Sequence, residues 1–229
     1  SDLNYNVMMS QRGLIMLCHS DGQRDAFVRR ANAMRSRGDD AQMLSVQDLR
    51  KFLPYLNYNS ARFPIYGGLL QKRAGTARHD AVAWGYARAA DQRGVDLIQN
   101  CEVTGFNINS GRITAVETTR GRIEANKVAI VVAGRSSQVA QLAGIRLPIE
   151  SHILQAFVTE GLKPIINNVV SFGMGHFYIS QSDKGELVIG AGTDDYVSYS
   201  QKGTHNIVEG TLKAILELYP IFSRMKMLR

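Results

Sequence analysis

The feature that most constrains the fold is a block of mixed structure, about residues 72–147, between two flanks in which strands predominate. Within the block, an alanine-rich helix is predicted over 80–93, with Asp80 as its N-cap and Gly94 just after its end, where glycine is favoured. An antiparallel meander follows, and then a continuous apolar segment, 127–134. Such a segment is typical of a strand that is buried on both faces of a parallel sheet.

This layout predicts a mixed α/β (α+β) protein with two interleaved domains. The middle block, 72–147, is predicted to be part of a doubly wound nucleotide-binding domain. Residues 1–71 and 148–229 are predicted to form one sheet-based domain, built from both sides of the block.

The other elements are predicted from apolar periodicity and from capping and turn residues. Strands are predicted over 13–18, 65–71, 95–98, 102–108, 112–118, 121–125, 151–159, 169–172, 177–181 and 187–191. Helices are predicted over 20–38, 45–54, 136–144 and 206–219, the first two capped by serine. Asn109-Ser110-Gly111 predicts a tight turn inside the meander.

Composition weakens several functional classes. No run of about eighteen apolar residues occurs, so no membrane-spanning helix is predicted. The formal net charge is +7, but no zinc spacing, aromatic-rich RNA motif or basic heptad accompanies it, so binding to nucleic acid is not expected. No signal-peptide pattern opens the sequence, and Cys18 and Cys101 are predicted to be buried free thiols. Both features favour a cytoplasmic protein.

The sequence contains no recognisable phosphate loop, since neither G-x-G-x-x-G nor a Walker pattern occurs. Gly173-Met174-Gly175 and Gly190-Ala191-Gly192 lack the third glycine and the following helix, and both are predicted to be turns. If a dinucleotide binds, its pyrophosphate site is expected outside this sequence.

The strongest local signal for chemistry is Arg78-His79-Asp80, at the predicted start of the alanine-rich helix. A helix N-terminus offers free backbone N–H groups and positive potential, which favour an anionic ligand, and Arg78 adds a permanent charge. The alternative is that His79 only caps the helix or fills space. Trp84, the only tryptophan, is predicted to pack in the core.

Residues 76–106 (TARHDAVAWGYARAADQRGVDLIQNCEVTGF) closely resemble the matching stretch of the beta subunits of heterotetrameric sarcosine oxidases, FAD-dependent oxidoreductases similar to D-amino acid oxidase. The resemblance extends over essentially all 229 residues. It includes the shorter motifs at 10–13, 118–121, 147–152, 184–188, 190–192 and 219–222.

The resemblance implies a flavin-dependent oxidation of sarcosine to glycine, formaldehyde and hydrogen peroxide. It implies FMN bonded covalently to His79 through the flavin 8α-methyl group, with Arg78 stabilising the reduced flavin or the FMN phosphate. Known members have lysine in place of Arg78, so a role specific to lysine is not carried over. The resemblance further implies a noncovalent FAD, contacted by Val103 and by Ala133-Gly134; the alternative for these positions is plain strand packing.

The resemblance also implies partners: sarcosine as the substrate, and the alpha, gamma and delta subunits of a heterotetramer, with FMN at the interface with the alpha subunit. The sarcosine carboxylate needs a cation, and the sequence does not separate Arg12, Arg62, Lys72 and Arg73 as candidates. The flanks then become the two parts of a substrate domain, and the middle block becomes part of an FAD-binding domain.

In this family the glycine-rich FAD loop would precede residue 1, and the segment that completes the flavin pocket would follow Arg229. The sequence is therefore expected to be a central fragment, inactive alone, with an exposed hydrophobic face. Two alternatives stay open: a related FAD-dependent amine or D-amino acid dehydrogenase, and a noncatalytic scaffold or nucleic-acid binder that uses its basic surface.

Overall fold

The computed structural model describes residues 3–173 and 177–228. In chain order the helices are α1 (Asp21–Arg35), α2 (Val46–Phe52), α3 (His79–Asp91), α4 (Ser136–Gln141) and α5 (His205–Leu218). The strands are β1 (Leu14–Cys18), β2 (Ala41–Leu44), β3 (Gly67–Gln71), β4 (Val103–Asn109), β5 (Arg112–Thr118), β6 (Gly121–Glu124), β7 (His152–Gly161), β8 (Val169–Phe172), β9 (Phe177–Gln181) and β10 (Glu186–Val197). The predicted mixed α/β class is confirmed.

The larger sheet has seven strands in the order β2-β3-β1-β8-β9-β10-β7. Strand β1 pairs antiparallel with β3 and parallel with β8, so that Leu14 lies opposite both Gln71 and Val169. The sequence before the middle block and the sequence after it therefore build one sheet together. Strands β4, β5 and β6 form a separate antiparallel sheet of three.

The main core lies on one face of the larger sheet, where Ile15 and Leu17 of β1 are buried together with Ile215 and Leu218 of α5. Successive residues of a strand point to opposite faces. Met16 therefore belongs to a second cluster, in which α1 contributes Ala31. Helix α1 thus covers the opposite face at the β2-β3-β1 end of the sheet.

Helix α1 begins where Ser20 accepts a hydrogen bond on Oγ from the backbone N–H of Gln23, at 3.1 Å. Replacing Ser20 with alanine leaves that donor without its cap, and we expect the free energy of unfolding to fall by about 1 kcal/mol. Ser20→Asp, which keeps an acceptor at the cap, should stay close to the original value. Urea unfolding of the three proteins measures this; equal stability of all three would contradict the assigned cap.

The meander is confirmed in detail. Strand β5 has the predicted bounds, and Asn109 of β4 pairs with Arg112 of β5. The two loop residues between them, Ser110 and Gly111, have φ values of 52° and 75°. Two positive φ values are characteristic of the type I′ turn, which matches the twist of a hairpin.

Two predicted strands, 95–98 and 127–134, are wrong in the structure, where neither segment is paired. A strand of a parallel sheet needs neighbours for its backbone N–H and C=O groups, and no described strand pairs with these segments. Their apolar side chains are consequently exposed, which confirms the expected hydrophobic surface: Val95, Leu97, Ile98, Val128, Val131 and Val132.

Two further predictions need correction, and one strand was missed. Gly190-Ala191-Gly192 is not a turn but lies inside β10, while Met174 and Gly175 of the other predicted turn fall outside the described residues. Trp84 is not a core residue, because 58% of its surface is exposed. Strand β2 was not predicted. Its four residues are too few to show a clear alternation.

Both cysteines are free thiols, as predicted, but only Cys18 is buried, and Cys101 is partly exposed. Burial raises the pKa of the Cys18 thiol to about 11. No helix in the part of the chain that the structure describes is long and apolar enough to cross a membrane.

The chain divides into two compact units, each assembled from distant segments. Unit 1 holds Ser1–Gly85, Leu154–Asp194 and Gly203–Arg229, and unit 2 holds Tyr86–Ile153 and Asp195–Lys202. A division by compactness does not identify which part binds FAD and which binds substrate. The functional domain limits at 72 and 148 therefore stay a prediction.

Candidate functional site

The segment that leads into His79 is fixed by an antiparallel bridge to the start of the chain. Ser10 and Thr76 exchange both backbone hydrogen bonds, at 2.7 and 3.0 Å. Gly75, the residue before Thr76, lies very close to the backbone of Ser10. A Cβ atom added to Gly75 would lie 2.8 Å from the carbonyl carbon of Ser10 and closer still to its oxygen. Only glycine permits this approach, so the position of the residues before His79 is set by backbone contacts.

Helix α3 itself is anchored on the side away from His79. Ala81 and Gly85, one turn apart, are buried, and the ring of Tyr5 lies against Gly85. His79 points to the other side of the helix because two residues correspond to about half a turn. The helix therefore presents His79 outwards from a fixed position.

His79 is the first residue of α3, so the predicted helix start is one residue late and Asp80 lies in the first turn instead of at the N-cap. The imidazole is exposed and makes no hydrogen bond to any described residue. This does not fit the alternative in which His79 fills space in the interior. A solvent-facing nitrogen on a fixed backbone is available for bonding to a ligand.

Arg78 does not stand as a free charge beside His79. Its guanidinium forms a two-point ion pair with the Asp80 carboxylate, with Nε 3.1 Å from Oδ1. The hydrogen bond from Arg78 holds the pKa of Asp80 below its usual range. Exposed ion pairs of this kind exchange readily, so Arg78 can move to an anionic ligand at little cost.

The residues expected to contact FAD lie in unit 2. Val103 begins β4 and is half-buried, while Ala133 and Gly134 form an exposed 3₁₀ turn before α4 instead of ending a strand as predicted. Ala133 has a φ of 46°, uncommon for a residue with a Cβ, and Ser151 Oγ donates to the Gly134 carbonyl at 2.6 Å. An exposed, fixed turn of this kind fits a ligand contact.

Three of the four candidate carboxylate anchors are engaged within the chain. The Arg12 guanidinium donates to the Gln181 carbonyl at 2.6 Å and pairs with Asp183. The remaining two engaged cations are Arg62, which stacks over Phe63 and lies 4.0 Å from Glu217, and Arg73, which pairs with Asp40 at 3.0 Å. Lys72 is exposed and forms no ion pair within the described residues, so it is the candidate left available.

One feature that sequence patterns did not reveal is an exposed tyrosine on the larger sheet. The Tyr178 ring lies over Gly190 of the neighbouring strand, where a Cβ atom would come within 2.7 Å of ring atom Cδ1. Tyr178 alternates with the buried Phe177 and Ile179, so the pattern places it on the face opposite the main core. Nothing in the sequence signalled that this part of the face is uncovered.

The described residues contain no group of three His, Cys, Asp or Glu side chains that could hold a metal ion.

Two curated relatives of the chain carry the same name. The chain is 60% identical to sarcosine oxidase subunit beta from Rhizobium meliloti (strain 1021) over 228 residues, and 46% identical to the subunit of the same name from an Arthrobacter species over 229 residues. Each match covers 100% of this chain but only 55% and 56% of the relative. The chain thus spans about half the length of these curated relatives.

Solved structures support the fold. The crystal structure of L-proline dehydrogenase from P. horikoshii superposes with a TM-score of 0.86 at 22% identity, covering 100% of this chain and 60% of that one. Glycine oxidase from Geobacillus kaustophilus superposes with a TM-score of 0.79 at 19% identity, covering 98% and 59%. The sequence pattern of the FAD-dependent oxidoreductases (DAO) matches residues 1–228. The chain therefore belongs to the FAD-dependent oxidoreductase family.

Proposed function

We propose that the complete protein is the beta subunit of a sarcosine oxidase, which converts sarcosine to glycine, formaldehyde and hydrogen peroxide. The observation that carries the proposal is the 60% identity to a sarcosine oxidase subunit beta over the whole chain. Membership of an FAD-dependent oxidoreductase family disfavours the alternative of a noncatalytic basic scaffold.

His79 is the proposed attachment point for FMN. The imidazole is exposed, makes no hydrogen bond to a described residue, and stands on a backbone fixed by Gly75 and the Ser10–Thr76 bridge. Covalent bonding to a flavin requires a nucleophile held in a reproducible position, which this arrangement provides. Arg78 is close enough in sequence to exchange Asp80 for an anionic group of the same cofactor.

When bound, the flavins supply the redox chemistry: the N-methyl group of sarcosine is oxidised at FAD, and oxygen is reduced to hydrogen peroxide at FMN. The chain's part is to bind and orient the flavins and the substrate. Val103, Ala133 and Gly134 are the proposed contacts to noncovalent FAD. Lys72 is the proposed cation for the sarcosine carboxylate, because the other three candidates are engaged.

The proposed assembly is a heterotetramer with alpha, gamma and delta subunits in the cytoplasm, with residues 72–147 contributing to FAD binding and the flanks to substrate binding. The name of the relatives, subunit beta, supports a complex of several chains. The exposed apolar segments 95–98 and 128–132 offer surface for such contacts. The two free thiols are consistent with a reducing compartment.

The proposal is tested with the full-length subunit assembled with its partners. Mixing the assembly with sarcosine in the absence of oxygen should bleach the flavin absorbance, and admitting oxygen should restore it with release of hydrogen peroxide. A D-amino acid at the same concentration should leave the flavin oxidised. Faster bleaching by the D-amino acid than by sarcosine would contradict the proposed sarcosine oxidation and favour the related D-amino acid dehydrogenase.

A further inference from the structure

Two exposed methionines lie beside the backbone that carries His79. The bridge between Ser10 and Thr76 continues toward the helix, because the Arg78 backbone N–H donates to the Val7 carbonyl at 3.3 Å. Met8 and Met9 therefore lie across from residues 77–78, about 5 Å away between backbones, immediately before His79.

Both methionines are exposed, and the backbone of Met8 is held in an unusual conformation. Met8 is 54% exposed and Met9 is 45% exposed. Met8 has a φ of 52°, a conformation that residues with a Cβ rarely adopt, and its N–H donates to the Asn6 side-chain oxygen at 2.8 Å. Residues in such conformations are maintained by their surroundings, and they are frequent at functional sites.

We propose that Met8 and Met9 are a modification site, oxidised to methionine sulfoxide by the hydrogen peroxide released at the flavin on His79. This inference rests on the proposed function. The sulfur donates an electron pair to one peroxide oxygen, an S–O bond forms as the O–O bond breaks, and the other oxygen leaves as water. The thioether is oxidised by two electrons and the peroxide is reduced by two.

Proximity is the reason for selecting these two residues. A thioether next to the point of release meets peroxide before it is diluted into the solvent. Met227 is the matched comparison, because it is 44% exposed but bridges to Thr159 of β7. Strand β7 is five strand positions from β3, the strand that leads to His79, which corresponds to about 24 Å.

The experiment uses the full-length subunit assembled with its partners. In one arm the assembly turns over sarcosine in air with excess catalase, which removes peroxide from the bulk solution. In a second arm the resting assembly receives reagent hydrogen peroxide without catalase or substrate. Peptide mass spectrometry then measures one added oxygen at Met8–Met9 and at Met227, and an oxygen electrode records turnover in parallel.

We expect sulfoxide per methionine at Met8–Met9 to exceed that at Met227 several-fold during turnover, and this per-residue ratio to fall toward one with reagent peroxide. The double variant Met8→Leu, Met9→Leu should lose the oxidised peptide and keep the initial turnover rate. Normal turnover with equal oxidation at both places would overturn this inference alone. Absence of any sarcosine-dependent oxygen consumption would overturn the proposed function, and the modification with it.

Discussion

His79→Ala is expected to abolish covalently bound flavin while the chain keeps its fold. The imidazole is exposed and makes no hydrogen bond to a described residue, so its removal leaves no cavity and no buried polar group without a partner. The free energy of unfolding should change by less than about 0.5 kcal/mol. Flavin fluorescence of the full-length subunit after denaturing electrophoresis measures the covalent fraction.

His205 provides a matched control, because it is also exposed and is also the first residue of a helix, α5. His205→Ala should retain the full covalent flavin. If both variants lose flavin equally, a general effect on folding or assembly accounts for the loss, and His79 has no special role.

Gly75→Ala is expected to have the second largest effect, because the new methyl group would collide with backbone and not with a movable side chain. The Ser10 carbonyl and the Gln11 Cα atom, which would be only 3.0 Å away, are both part of the segment that bridges to Thr76. The bridge must open or shift, at a cost of about 1–3 kcal/mol. Since the bridge positions the residues before His79, we expect the covalent flavin fraction to fall as well.

Gly22→Ala is the control for this substitution. Gly22 lies in α1, where an added Cβ would meet nothing within 4 Å, and alanine is favoured over glycine in a helix by about 1 kcal/mol. Thermal unfolding and flavin fluorescence should therefore separate the two variants. A Gly75→Ala protein with unchanged stability and full flavin would show that the close approach is not required.

Local signals predicted local structure well. Ser20 and Ser45 cap the helices they were expected to cap, and Ser110-Gly111 forms the expected turn, because capping and turn geometry depend on a few adjacent residues. The start of α3 was misplaced by one residue, since both His79 and Asp80 are compatible with the first turn.

The predictions that failed depend on distant parts of a chain. An apolar run such as 127–134 becomes a strand only when neighbours pair with it, and its sequence does not report whether they are present. Gly190 lies in a strand that pairs with β9, and the Tyr178 ring of that strand occupies the space that a side chain at position 190 would take. Trp84 is exposed although tryptophan is usually well buried.

The candidate site was predicted only in part. The sequence singled out Arg78 and His79, but not the ion pair between Arg78 and Asp80, nor the glycine contact that fixes the segment. The sequence also could not rank Arg12 and Lys72 as anchors for the carboxylate. Arg12 is bound by Gln181 and Asp183, which lie about 170 residues away along the chain, so this contact forms only when the chain folds.

The most direct test of this account is the mass of the peptide that contains His79, isolated by proteolysis of the full-length subunit assembled with its partners. We predict that this peptide carries the added mass of one FMN and that fragmentation assigns the addition to the His79 side chain. An unmodified His79 peptide from an assembly that still oxidises sarcosine would contradict the account.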